Sequence, residues 1–305
     1  MFLLLLSWPI LGQKSQIVYR TKGDTTENFY LALLPEKISR GLLVILPGFG
    51  TTPSEVLQET RLPLISCKAG YTVVIPLLVA YQKEDLSNIF QMRLEALIPE
   101  LLSKYRIAKD KLMIGGHSLG GHQALYYAEQ AYRLNKDQIV KPILVFGVDP
   151  PLDLKRLWDS FQYNKRIRFS AVSAGEADYM ITRFRKLYGG SPQEKPTVYR
   201  EASSFYREAK DGGNAKYLKS VPVRLYCDPD IDWVIENRRG SFEYMNAADL
   251  SACISQLKLL GNTKAEFVSC LGKGYLPDGR RHPHAFSILD ADEFITWADK
   301  ILKTE

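Results

Sequence analysis

The chain alternates between short, unbroken apolar runs and longer stretches whose apolar residues recur at helical spacing. Residues 41–47 read Gly-Leu-Leu-Val-Ile-Leu-Pro, and residues 72–78, 111–115, 142–148, 221–227 and 265–270 have the same character. Such runs are expected of strands buried on both faces. Two earlier runs, 16–21 and 29–34, flank the polar turn Lys22-Gly23-Asp24 and read as a pair of strands. Thr52-Pro53-Ser54-Glu55 has the form of a capping box with proline at the first helical position, opening a helix that runs to about residue 65. Residues 85–105 place Leu86, Phe90, Leu94, Leu97 and Leu101 on one helical face, with Pro99 expected to kink or divide the helix. Further helices are expected over residues 119–134 and 290–302. Strands alternating with helices over this length imply a parallel sheet covered on both sides. Residues 153–220 break the rhythm. They are rich in Tyr, Phe, Arg and Lys, contain Gly189-Gly190-Ser191-Pro192 and Asp211-Gly212-Gly213-Asn214, and read as a mostly helical insertion capping the sheet.

Within this frame, Gly116-His117-Ser118-Leu119-Gly120 stands where the 111–115 strand gives way to a helix. G-x-S-x-G on a strand–turn–helix is the pattern of a nucleophile elbow: the glycines let strand and helix close around a strained turn that exposes the serine. Gly121 removes another side chain at the helix start, where unpaired N–H groups can face a developing oxyanion.

An activated Ser118 needs a base, a carboxylate to orient it, and oxyanion donors. Of the four histidines, His117 sits inside the elbow and is expected to point elsewhere, and His122 lies about a turn into the following helix and reads as structural. His282 and His284 fall in the loop between the last strand and the last helix, at the carboxyl edge of the sheet, where such loops gather with the elbow. His284 is the chosen base, and His282 is expected to pack or touch substrate. For the carboxylate, Asp228, Asp230 and Asp232 follow the 221–227 strand; Asp230 is preferred, then Asp228, then Asp232. Asp149, after the 142–148 strand, is the other position from which an acid could reach, but reads better as a turn residue before Pro150-Pro151. The oxyanion donors are expected from the backbone of Leu119 and of Phe49, in Pro47-Gly48-Phe49-Gly50 after the 41–47 strand.

Together these residues resemble the α/β-hydrolase superfamily. The resemblance spans the elbow at 116–120, the oxyanion loop at 47–50, the acids at 228–232 and the histidine loop at 282–287, in the order Ser–Asp–His. It implies a mostly parallel eight-stranded sheet flanked by helices, with a cap inserted after the sixth strand at residues 153–220 and a core formed by 13–152 and 221–305. Many members open the oxyanion loop with His-Gly; Pro47 replaces that histidine here, removing a bracing side chain but no backbone donor. The implied activity is hydrolysis of a carboxylic ester through an acyl-enzyme on Ser118, His284 and Asp230. A peptidase, thioesterase or acyltransferase on the same fold, and a non-catalytic binding protein, are the alternatives. The expected partner is a small-molecule ester or acyl substrate. No metal or organic cofactor is expected, because no H-E-x-x-H, P-loop or G-x-G-x-x-G pattern occurs.

Composition narrows this little further. A net charge of +6 over 305 residues, spread over short clusters such as Lys165-Arg166-Ile167-Arg168, reads as solvated surface and not as a nucleic-acid site. The four cysteines, 67, 227, 253 and 270, are too far apart for a zinc knuckle or C-x-x-C, leaving buried thiols or two disulfides. No run is long enough for a membrane span. Residues 1–12, an apolar run ending at Gly12 before polar Gln13-Lys14-Ser15-Gln16, read as the hydrophobic region of a secretory signal peptide, which implies a periplasmic or secreted protein. The competing reading is a buried N-terminal segment of a cytoplasmic protein. Oligomeric state is not legible.

Overall fold

The computed structural model describes residues 6–10, 13–80, 87–136 and 139–304. Its strands are β1 (Leu6–Ile10), β2 (Gln13–Tyr19), β3 (Phe29–Leu34), β4 (Leu42–Leu46), β5 (Thr72–Leu77), β6 (Leu112–His117), β7 (Leu144–Val148), β8 (Val223–Cys227) and β9 (Ala265–Ser269). Its helices are α1 (Pro53–Glu59), α2 (Leu62–Lys68), α3 (Ser87–Lys104), α4 (Leu119–Leu134), α5 (Leu154–Ile167), α6 (Ala171–Tyr188), α7 (Pro196–Ala202), α8 (Ile231–Arg238), α9 (Asn246–Leu259) and α10 (Ala291–Thr304).

The strands form one sheet in the order β1-β2-β3-β5-β4-β6-β7-β8-β9. From β5 through β9 the neighbours are parallel, whereas β1, β2 and β3 pair antiparallel at one edge. Strands β2 to β9 are the eight mostly parallel strands expected from the sequence, and β1 adds a ninth. Gly12, where the apolar run of the expected signal peptide ends, lies outside the described residues.

The unbroken apolar runs are strands sandwiched between two cores. Leu42, Val44 and Leu46 of β4 face a cluster that includes Leu94, Leu97 and Leu101 of α3, Leu125 and Ala128 of α4, and Leu250 and Ile254 of α9. Leu43 and Ile45 face the opposite side, against Val56 of α1, Leu62 of α2 and Phe294 and Ala298 of α10. The strict alternation follows from the two-residue period of a strand; both sides are apolar because helices cover both.

Two local expectations are corrected. The helix opened by Thr52 stops at Glu59 and a second begins at Leu62, with Pro63 in its first turn. The capping box itself is present, Thr52 accepting from the Glu55 N–H while Glu55 reaches back to the Thr52 backbone. Pro99, by contrast, does not divide α3, which is one element from Ser87 to Lys104. Leu94, Leu97, Ile98, Leu101 and Leu102, on both sides of the proline, are buried against the sheet and hold the turns together. Positions 85 and 86 of the expected helix lie outside the described residues.

Residues 153–220 connect β7 to β8 through α5, α6, α7 and a 3₁₀ turn at Gly213–Leu218. Leu154, Trp158, Phe161, Ala177, Ile181, Phe184 and Tyr199 give this segment a small core of its own. It is tied to the rest by a fully buried carboxylate: Asp249 on α9 pairs with Arg156 of α5 at 2.7 Å and with Arg207 at 3.2 Å. Among the described residues no helix is long and apolar enough to cross a membrane.

Candidate active site

Strand β6 ends at His117, and the chain turns into α4 through Ser118, whose φ of 53° and ψ of −124° lie outside the regions non-glycine residues prefer. Strain of this kind persists only where the surroundings impose it. Here the surroundings are backbone: a Cβ on Gly120 would lie 2.1 Å from the Leu46 carbonyl oxygen, and one on Gly116 would lie 2.3 Å from the same atom. Gly121 serves packing as well, since a Cβ there would meet the Gly116 carbonyl at 2.8 Å and Pro150 at 3.0 Å.

The elbow holds Ser118 Oγ 2.9 Å from His284 Nε2. His284 lies in the loop between β9 and α10, as the sequence suggests, and its Nδ1 is 2.5 Å from Asp149 Oδ2. A carboxylate only accepts, so Nδ1 carries the proton and Nε2 is left to accept from the serine hydroxyl. Partial burial works against charging His284, but the hydrogen bond and charge of Asp149 outweigh it and raise the histidine above its ordinary value.

The preferred carboxylate, Asp230, is not the partner of His284, nor is Asp228. The sheet explains both outcomes. Val148 pairs with His117 across β6–β7, so Asp149 emerges beside Ser118, whereas β8 is one strand further out. Asp149 makes its turn with φ of 46°, donates its N–H to the Tyr226 carbonyl at 2.8 Å, and has its own carbonyl held by Asn246 at 2.9 Å. It is therefore a turn residue before the proline pair and the histidine's partner at once. Asp230 caps α8 through the Trp233 N–H at 2.9 Å and binds Arg281 at 2.7 Å. Asp228 is buried, accepts from the N–H groups of Gly272 and Gly274, and binds the same Arg281 at 2.8 Å. Both acids thus brace the histidine loop three residues before His284. Asp232 is exposed in the first turn of α8.

The other three histidines are uncharged residues packed around this chain. His122 is buried, with Nδ1 3.0 Å from the Pro151 carbonyl, and burial lowers it to about 4. His282 stands edge-on to Trp233 and is likewise lowered to about 4, by burial first and then by the charge of His284. His117 does not point away from the site as expected. Its ring lies 4.8 Å from that of His284, and its Nε2 is 3.2 Å from the His284 carbonyl oxygen.

The loop after β4 lies against the elbow. Thr51 N–H closes a turn on the Gly48 carbonyl at 3.1 Å, with Gly50 at φ of 78°, the third position of a type II turn. A Cβ on Gly48 would be 3.2 Å from His117 Nδ1 and 3.6 Å from Ser118 Cβ, which places this loop directly against the elbow. Leu119, at the first position of α4, has no acceptor for its N–H within the helix.

Ser118, Leu119, Phe49, Asp149 and His284 open onto a cavity of about 810 Å³. Leu154, Leu157, Phe161, Met180, Phe184 and Leu187 of the β7–β8 connection form one wall, and Trp233, Val234 and Met245 form part of another. Asn88, Gln91, Glu95, Gln123 and Tyr126 supply a polar side. Arg238 of α8 and Glu176 of α6 both line the cavity and pair at 3.3 Å.

No family model matches the chain, and no curated protein matches it in sequence. Solved structures do match its fold. Esterase B from Lactobacillus rhamnosis superposes with a TM-score of 0.63 at 15% identity, over 95% of this chain and 86% of that one. An esterase from Pyrobaculum calidifontis gives 0.57 at 16% identity, over 99% and 86% of the two chains. An S-formylglutathione hydrolase from Agrobacterium tumefaciens gives 0.55 at 13%, over 99% and 100%. With a mostly parallel sheet that turns into α4 at a strained serine, and a likeness to these structures over nearly its whole length, the chain has the α/β-hydrolase fold.

Proposed function

We propose that this protein is a serine hydrolase that cleaves a carboxylic ester through an acyl-enzyme, with Ser118 as nucleophile, His284 as general base and acid, and Asp149 as the orienting carboxylate. The observation that carries the proposal is the hydrogen-bonded chain from Ser118 Oγ through His284 to Asp149, at 2.9 and 2.5 Å. Such a chain raises the basicity of the histidine where the proton leaves the serine. Ser118 attacks the acyl carbon and its proton passes to Nε2. The resulting imidazolium is held by Asp149, and the proton is returned to the departing alcohol oxygen. Water then repeats the sequence in the opposite sense and releases the acid. The oxyanion is assigned to the backbone N–H groups of Phe49 and Leu119, which flank Ser118 on two different elements; one such donor typically contributes about 3–4 kcal/mol to the transition state.

The largely apolar and aromatic cavity supports an uncharged ester with a bulky hydrocarbon portion, and residues 153–220 act as its cap. The intact Ser–Asp–His order argues against a non-catalytic binding role.

The test is covalent labelling with a fluorophosphonate probe, which reports an activated serine without knowledge of the substrate. Wild type is expected to label, and Ser118→Ala and His284→Ala are expected not to. A folded wild type that does not label overturns the proposal. Labelling would be followed by a panel of esters, thioesters and peptides, with esters expected to turn over fastest.

A further inference from the structure

His117 occupies the variable position of the elbow, between Gly116 and the nucleophile. As the last residue of β6 it is fixed by pairing with Val148, and its side chain is buried. Three contacts define its ring. Phe286 stacks on it at 5.2 Å with an interplanar angle of 22°. The His284 ring lies against it at 4.8 Å, tilted by 41°. Nε2 is 3.2 Å from the His284 carbonyl oxygen, and since a carbonyl only accepts, Nε2 carries the proton and donates. The other nitrogen, Nδ1, is then a bare acceptor; it is buried and has no hydrogen-bond partner among the described residues. It faces the oxyanion loop, since a Cβ on Gly48 would stand 3.2 Å from it.

Phenylalanine or leucine would fill this space without burying an unpaired nitrogen. What histidine adds is the donor to His284. That donor matters because His284 lies in a turn between the Tyr275–Arg281 bridge and the 3₁₀ turn Phe286–Ile288, with no strand or helix to fix its backbone. We propose that His117 is a positioning residue for the reaction: it clamps the backbone of the base from beneath the nucleophile, and so sets the orientation of His284 between Ser118 and Asp149. Because the same ring lies against Gly48, it also keeps the base in register with the oxyanion loop. The inference rests on His284 acting as the base.

His117 can serve in this way only while neutral, since a second cation 4.8 Å from His284 would oppose the imidazolium. Burial, and then the charge of His284, hold His117 well below the ordinary histidine value. The other charged or titratable groups facing His284 are Asp149, Glu176, Arg238, His282 and, from α1, Glu59.

The experiment is the rate of fluorophosphonate labelling across the range where histidines titrate, about pH 5 to 8, for wild type, His117→Phe and His117→Gln. Phenylalanine keeps the ring and removes the donor; glutamine restores an N–H at the same reach. His117→Phe is expected to label at least about tenfold more slowly, as small misplacements of a catalytic group do. Its inflection is expected at lower pH, because a looser His284 gains less from Asp149. His117→Gln is expected to recover most of both. Equal rates and inflections for His117→Phe and wild type, or a glutamine variant as impaired as phenylalanine, overturn the inference and leave the proposed hydrolase intact. A wild type that does not label overturns the hydrolase reading instead. Should His117→Phe fail to fold, the imidazole ¹⁵N spectrum of the wild type decides: the proton is expected on Nε2 of His117 throughout, and a proton on Nδ1, or titration alongside His284, overturns the inference.

Discussion

Asp149 and His284 are 135 positions apart in the chain, yet Oδ2 of one lies 2.5 Å from Nδ1 of the other. The contact fixes which nitrogen of His284 is free to take a proton, and it raises the histidine against the opposing effect of burial. Because the base must be neutral to act, activity is expected to rise with pH through an inflection above about 6.5, the ordinary histidine value. Asp149→Asn removes both the charge and the preferred tautomer. It is expected to lower the turnover of an ester on the order of 10⁴-fold, as in other serine triads, and to move the inflection down. Asp230→Asn, which alters a helix cap and one partner of Arg281, is expected to keep most of the activity. Measuring kcat/KM against pH for the two variants separates them, and the reverse ranking would return the orienting role to Asp230.

The acid beside Ser118 is set by strand order, which the sequence does not show locally. The apolar runs at 41–47, 111–115, 142–148 and 221–227 announce buried strands, and the G-x-S-x-G turn announces the serine, because both depend on local chemistry. Which acid lies beside that serine depends on which strand neighbours β6, and no local pattern records it. Three acids within five residues at 228–232 form a stronger local pattern than the single Asp149, whose turn-forming role before Pro150-Pro151 is also genuine. Two of them, Asp228 and Asp230, bind Arg281, and Asp230 also caps α8. The position of His117 is hidden for a related reason: its contact with His284 spans 167 positions and follows from how the final loop folds back under the elbow. Its one local signal is a polar residue ending an otherwise apolar strand.

The elbow also makes a stability prediction. A Cβ at position 120 would lie 2.1 Å from one backbone carbonyl and 2.4 Å from the next, neither of which can swing aside as a flexible side chain can. Gly120→Ala is expected to cost at least about 2 kcal/mol, as overpacking does, and to lower the melting temperature accordingly. Gly175, within α6, has nothing within 4 Å of the corresponding position. Gly175→Ala is expected to stabilise by about 0.4–1 kcal/mol, because the unfolded chain loses freedom and the helix loses nothing. Thermal melts of the two variants should move in opposite directions, and a neutral Gly120→Ala would show that strand and helix can part.

Cys227 and Cys270 are backbone neighbours, the N–H of Cys270 bonding to the Cys227 carbonyl at 2.7 Å, yet their side chains enter the cores on opposite faces of the sheet. All four cysteines are buried as free thiols. Burial pushes the Cys67 and Cys270 thiols up to about 11, away from the reactive thiolate. Purified without reductant, the protein is expected to release four titratable thiols on denaturation and to react slowly, if at all, while folded. Two thiols in the denatured protein would indicate a disulfide that this arrangement does not provide.

The last prediction concerns Glu129, on α4 behind the nucleophile. Its side chain is fully buried, with the Ser204 hydroxyl close enough to ease its ionisation slightly but, among the described residues, no well-formed hydrogen bond to either carboxyl oxygen. Burial raises it well above the ordinary carboxylate value, so the folded protein keeps it protonated at pH values where the unfolded chain has released the proton. Below an unfolded value of about 4.3 both states hold the proton and the group is neutral to stability. As pH rises from there toward the folded value, the native state binds the extra proton, and stability falls with pH. Glu129→Gln removes this dependence while preserving shape. Relative to wild type, the melting temperature of the variant is expected to improve progressively between about pH 5 and pH 8, whatever its offset at pH 5, because only the wild type must retain a proton on folding. A difference that stays constant across that range would mean that Glu129 ionises in place, with a compensating charge or water drawn in beside it.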